Sequence, residues 1–138
     1  MNFYLLLLFG YIGIVCFSSF ISQSPIAVQD AWKVPVWADT ITNPFHDEPL
    51  VLMQGEELYN MYCSACHGES GHGDGSPGGV FGPKPANFHD KEVKKQSDGV
   101  LYWKISTGRG IMPPFEDIFS EEQRWQLVAY LRKLSEAE

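Results

Sequence analysis

Apolar positions follow several different rhythms along this chain, and each rhythm predicts a different element. From Phe3 to Ile21 the run FYLLLLFGYIGIVCFSSFI is unbroken and carries no charge. At about 1.5 Å of rise per residue, a helix of that length approaches the roughly 30 Å of a bilayer core. The segment, taken as residues 1–22, is therefore expected to meet a membrane. Three forms stay open: a cleaved signal peptide, a retained transmembrane anchor, and a lipidated Cys16. No Lys or Arg precedes Lys33, Ser22, Ser24 and Ala27 make imperfect cleavage sites, and Val15 is a poor neighbour for a lipidated cysteine. All three send the chain after about residue 30 to the far side of a membrane.

Residues 23–49 contain Pro25, Pro35, Pro44 and Pro49, which break helical runs and favour extended or turn geometry. This stretch reads as a Pro-rich arm. Trp32, Val34 and Val36 alternate with other positions as in an edge strand, while Trp37 and Phe45 are large apolar groups to leave in water. Part of the arm is expected to pack on the domain that follows; a floppy linker is the competing reading.

The pattern then turns helical. Leu50, Val51, Leu58, Tyr59, Met61 and Tyr62 recur at three- and four-residue spacings, with Pro49 suited to a first turn. Gly55 inside this helix costs about 1 kcal/mol relative to Ala, so it suggests a second helix crossing close by. Residues 68–88 hold so many Gly and Pro residues that a long loop is expected, held by something other than backbone ladders. Asp98 to Thr107 reads as a short helix capped by Ser97 and ended by Gly108. The loop GRGIMPPF follows. Ser120 to about Ser135 is the clearest helix: Ser120 and Gln123 form a capping box, and Trp125, Leu127, Val128, Leu131 and Leu134 share one face.

The 138 residues show no internal repeat, so one domain over residues 50–138 is expected, preceded by the apolar segment and the arm. The formal charge of −7 arises entirely after residue 29 and makes nucleic acid an unsuitable partner, since an acidic surface repels phosphate. With three cysteines, of which only Cys63 and Cys66 are close in sequence, a disulfide scaffold is excluded.

Cys63-Ser64-Ala65-Cys66-His67 is a C-x-x-C-H motif, the attachment signature of c-type haem. Two cysteines on about one helical turn can each form a thioether to a haem vinyl group, while the adjacent imidazole faces the iron. A redox dithiol would want a βαβ context, and a zinc site would need further ligands; His67 with His72 or His89 is the zinc alternative. An electron carrier needs a second axial ligand. Met112, in Gly110-Ile111-Met112-Pro113-Pro114, is preferred over Met53, Met61, His72 and His89, with a plain core methionine as the bland alternative.

On these residues the chain from about Leu50 to Glu138 resembles the class I c-type cytochromes. The resemblance rests on the helix ending in the C-x-x-C-H motif, the Gly/Pro loop, a short helix, Met112 before Pro113 and an aromatic-bearing last helix. It implies an all-α fold of three to four helices around one covalent haem c, with His67 and Met112 on the iron. Gly55, Tyr59 and Tyr130 stand where the family crosses its first and last helices. The family also implies a proline carbonyl accepting from the histidine Nδ1, for which Pro83 and Pro85 are the candidates, and Tyr102, Trp103 and Arg109 are candidate propionate partners. A domain this small and glycine-rich has a thin core, to which the haem would add the missing interior.

The expected function is one-electron transfer in a bacterial respiratory chain, on the periplasmic side of the inner membrane, at a positive midpoint potential. Both axial positions would be filled, so an electron carrier is expected rather than an enzyme. Electrons would pass near an apolar rim of Ile111, Pro113, Pro114 and Phe115, to partners with a basic docking face. The alternatives are a fixed haem subunit of a larger membrane complex, such as alternative complex III, an oxidase or a dehydrogenase, and a peroxidase or gas sensor with a labile sixth ligand.

Overall fold

The computed structural model describes residues 32–45, 48–75 and 83–137; the apolar segment 3–21 and Cys16 lie outside them. Among the described residues five α-helices follow in order: α1 (Pro49–Tyr62), α2 (Ser64–His67), α3 (Lys91–Lys94), α4 (Asp98–Thr107) and α5 (Glu121–Glu136). Among the described residues there is no strand. The expected helices over 98–107 and from Ser120 are present, and both caps have formed. The Ser97 Oγ accepts from the Val100 N–H at 3.3 Å. At α5 the Gln123 N–H donates to Ser120 Oγ at 3.2 Å and the Ser120 N–H to Gln123 Oε1 at 2.9 Å, so two otherwise unpaired donors are satisfied reciprocally.

The core is the crossing of α1 and α5. A Cβ on Gly55 would lie 2.2 Å from the Gln126 carbonyl oxygen and 2.8 Å from Tyr130 Cβ, so only glycine lets the two backbones meet here. One turn further on, Tyr59 is fully buried with its ring 5.4 Å from that of Tyr130. Leu127 and Val128 of α5 are buried almost completely, and Leu101 and Ile105 of α4 with Phe115 and Phe119 complete the cluster. Arg132 fastens α5 to the chain entering α4: its Nε donates to Asp98 Oδ1 at 2.7 Å and its Nη1 to the Lys94 carbonyl at 3.3 Å.

The arm does pack on the domain, but as a turn rather than an edge strand. Val36–Thr40 forms a 3-10 turn against α4 with Ala38 fully buried. Asn43 Nδ2 donates to the Trp125 carbonyl at 3.1 Å, and Phe45 rests against the core. Pro35 sets the turn, and the tight curl of the backbone removes the alternation on which the strand reading relied. Val36 and Trp37 therefore point outward, 87% and 55% exposed. The single helical turn α3 lies between the expected loop over 68–88 and α4, where the sequence predicts no element; its four residues are too few to carry a period.

Candidate functional site

The end of α1 leads directly into the C-x-x-C-H segment. The Cys63 N–H still bonds to the Tyr59 carbonyl, and α2 begins at the next residue, so Cys63 and Cys66 lie about one helical turn apart with His67 next to Cys66. The two thiols are unpaired and partly buried. Burial and the nearby Cys66 push the Cys63 thiol up to about 12. Burial of this kind suits the uncharged sulfur of a thioether.

His67 is oriented from two directions. Its Nδ1 lies 3.1 Å from the Ala86 carbonyl oxygen, and its ring stacks on Phe88 at 4.8 Å with 20° between the planes. A carbonyl only accepts, so the proton is on Nδ1 and the Nε2 lone pair is left as the ligating group. Burial lowers the imidazole pKa, opposed in part by the Ala86 carbonyl, which further favours the neutral ring. The acceptor is thus Ala86 and not Pro83 or Pro85. Pro85 still bears on the geometry, because its ring restricts the backbone just before the carbonyl that bonds.

Two further contacts brace this side. The buried Tyr59 hydroxyl donates to the Gly68 carbonyl at 2.6 Å, tying α1 to the residue after His67. The Phe88 N–H donates to the Gly71 carbonyl at 2.8 Å, and the Phe88 ring meets Tyr59 edge-on at 6.2 Å. Sequence reading missed Ala86 and Phe88. Phe88 carried the one available signal, as an isolated aromatic at the end of a Gly/Pro-rich stretch.

Met112 lies on a separate turn. The Arg109 N–H bonds to the Met112 carbonyl at 2.9 Å, and the Met112 N–H to the Arg109 carbonyl at 3.0 Å. Gly108 precedes the turn with φ 59° and ψ 176°, a region open essentially to glycine alone, and a Cβ there would lie 2.4 Å from the Pro113 carbonyl carbon. Met112 is half-buried against the same core cluster that Cys63 touches. The rivals lie elsewhere: Met53 and Met61 are exposed on α1, while His72 and His89 face each other at 4.3 Å, with His89 Nε2 2.8 Å from the Ser70 carbonyl.

The candidate propionate partners have defined neighbours. Tyr102 stacks on Trp125 at 4.0 Å with the Arg124 guanidinium over its ring. Trp103 meets Trp32 edge-on at 6.3 Å, and the Arg109 guanidinium sits 4.8 Å from the Trp32 ring. Two thiols about one helical turn apart, an imidazole with its Nε2 left to bind, and a methionine on a glycine-shaped turn form a donor set that fits haem c.

Several known proteins are similar to this chain. The chain is 26% identical over 116 residues to cytochrome c-L of Methylorubrum extorquens, covering 83% of this chain and 55% of that protein. It is 26% identical over 92 residues to the cytochrome bc1 complex cytochrome c subunit of Corynebacterium diphtheriae, covering 64% of this chain and 29% of that one. The chain thus spans about half or less of the length of these curated relatives. Among solved structures, the Kuenenia stuttgartiensis reducing HAO-like protein complex Kustc0457/Kustc0458 superposes with a TM-score of 0.59 at 28% identity, over 66% of this chain and 46% of that one. Residues 51–131 match the family described as cytochrome c oxidase, cbb3-type, subunit III, and the chain belongs to it: an all-α class I c-type cytochrome that carries covalent haem c.

Proposed function

We propose that this chain passes single electrons in a bacterial respiratory chain on the periplasmic side of the membrane, with Cys63 and Cys66 as the thioether anchors and His67 and Met112 as the axial ligands. The observation that carries the assignment is the Nδ1 of His67 on the Ala86 carbonyl, one residue beyond two unpaired thiols. Haem c supplies a one-electron iron couple when bound. The protein holds the imidazole in one tautomer through Ala86, fixes its plane through Phe88, and presents a thioether sulfur, which favours the reduced metal, from the methionine turn.

A groove of about 620 Å³ between α1 and the start of α5 supports partners with a basic docking face. Leu58, Met61, Tyr62, Ile118 and Phe119 contribute its apolar lining, and its charged lining residues, Glu57 and Glu122, are both acidic. Tyr62 immediately precedes Cys63. Encounter rates should therefore fall as salt rises.

The fixed-subunit reading has its own support. Val36 and Trp37 hold large apolar area in water on the arm, and the family description and the bc1 relative both name subunits of complexes. Purification from membranes separates the two. A shuttle leaves as a monomer once its tether is released, whereas a subunit co-purifies with stoichiometric partners.

The test of the central assignment is a pyridine haemochrome spectrum of the mature protein with its intact mass. One haem per chain and a c-type band position are expected. A colourless protein, or a mass equal to the bare polypeptide, would overturn it. Replacing both cysteines by alanine should abolish retention of the haem in denaturant.

A further inference from the structure

The methionine turn has an exposed tip. Arg109, Gly110 and Ile111 are exposed, and a Cβ added at Gly110 would meet nothing within 4 Å. Arg109, however, reaches back to the arm, with its guanidinium 4.8 Å from the centroid of the Trp32 ring. Trp32 is itself held. Its ring meets Trp103 of α4 edge-on at 6.3 Å and lies 5.3 Å from the Lys104 ammonium. The arm beyond it is fastened by the buried Ala38 turn on α4 and by Asn43 on the Trp125 carbonyl.

We propose that Trp32 is a positioning residue for the sixth ligand: by holding Arg109 on its ring face it steadies the Arg109–Met112 turn, so that docking of the Pro-rich arm sets how firmly Met112 stays in place. The physical chain is short. Arg109 and Met112 share both backbone hydrogen bonds of the turn, so movement of one moves the other. The aromatic face attracts the guanidinium and also offsets the crowding of two cations, since burial, and after it the nearby Arg109, lower the Lys104 pKa. Gly108 and Gly110, both at positive φ, flank Arg109 and carry no side chain to hold that end of the turn, while Pro113 and Pro114 stiffen only its exit. The clamp therefore comes from a segment that precedes the haem domain in sequence. A tether that shifts the arm would loosen the methionine side and leave the His67 side, held by Ala86 and Phe88, unchanged.

The proposal rests on Met112 being the sixth ligand. Its test uses the full-length ferric holoprotein, with imidazole as a probe that replaces methionine. Trp32→Leu keeps apolar bulk and removes the π face, while Trp32→Phe keeps a smaller π face. Trp32→Leu should bind imidazole about two- to fivefold more tightly than the wild type, the range expected from losing one exposed cation–π contact. Its near-infrared methionine band should weaken in step, and Trp32→Phe should stay near wild type. Equal imidazole affinity in the Leu variant, the Phe variant and the wild type would overturn the clamp. If the wild type lacked the methionine band, or Met112→Ala kept it, the ligand assignment itself would fall. The two failures are therefore distinguishable. Matching thermal midpoints of the Leu and Phe variants, with different imidazole affinities, would separate positioning from general stability.

Discussion

His67 is held by residues distant in sequence: the carbonyl of Ala86, 19 positions on, and the ring of Phe88, itself braced by Tyr59 and Gly71. Met112 is held by Arg109, three positions back, through a turn that closes on its own backbone. The first arrangement is stiff because several side chains from different elements would have to move together. The second has an exposed tip, with open space beside Gly110, and involves glycine dihedrals and a contact from the arm. One cofactor would then be gripped firmly on one side and compliantly on the other, and exchange with outside ligands should occur on the methionine side.

The harshest test of this contrast is Phe88→Ala. It removes a buried ring beneath both His67 and Tyr59, and a loss of about 3–5 kcal/mol in unfolding free energy is expected by chemical denaturation. The methionine band of the surviving folded fraction should persist. Gly108→Ala probes the opposite side. It places a Cβ where φ and ψ exclude one and where Pro113 already stands, so about 2 kcal/mol of destabilisation is expected, together with loss of methionine band intensity.

Tyr59→Phe should cost about 1 kcal/mol, because it deletes one donor to the Gly68 carbonyl and leaves the ring packing intact. Denaturation should register it while the imidazole affinity of the ferric protein stays unchanged. The smallest effect is expected from charge. Glu57→Gln with Glu122→Gln should leave stability within about 0.5 kcal/mol and flatten the salt dependence of electron transfer to a basic partner protein. A change in imidazole binding in either of these last two cases would blur the contrast that Phe88 and Gly108 are meant to sharpen.

Much of this was legible in the sequence for local reasons. The Ser120–Gln123 box and the Ser97 cap depend on residues three apart, and α4 and α5 run where their periodicity placed them. Gly55 announced a helix crossing because a glycine inside a helix needs a compensating contact, and Gln126 and Tyr130 provide it. The C-x-x-C-H motif places its own chemistry, since all of its groups lie within five residues. The arm was read with the wrong period: Trp32, Val34 and Val36 alternate, yet Pro35 and the packing of Ala38 on α4 impose a 3-10 turn.

Short-range rules acting within one turn of helix therefore determined α1, α4 and α5, the side-chain caps of the last two and the candidate attachment residues. The tertiary structure decided everything that needed two distant segments to meet. It chose Ala86 over Pro83 and Pro85 as the histidine's acceptor, put Phe88 under the imidazole, and laid Trp32 against Arg109. A carbonyl accepts a hydrogen bond whichever side chain it bears, so composition does not mark the acceptor, and only the path of the loop brings that oxygen within 3.1 Å of Nδ1.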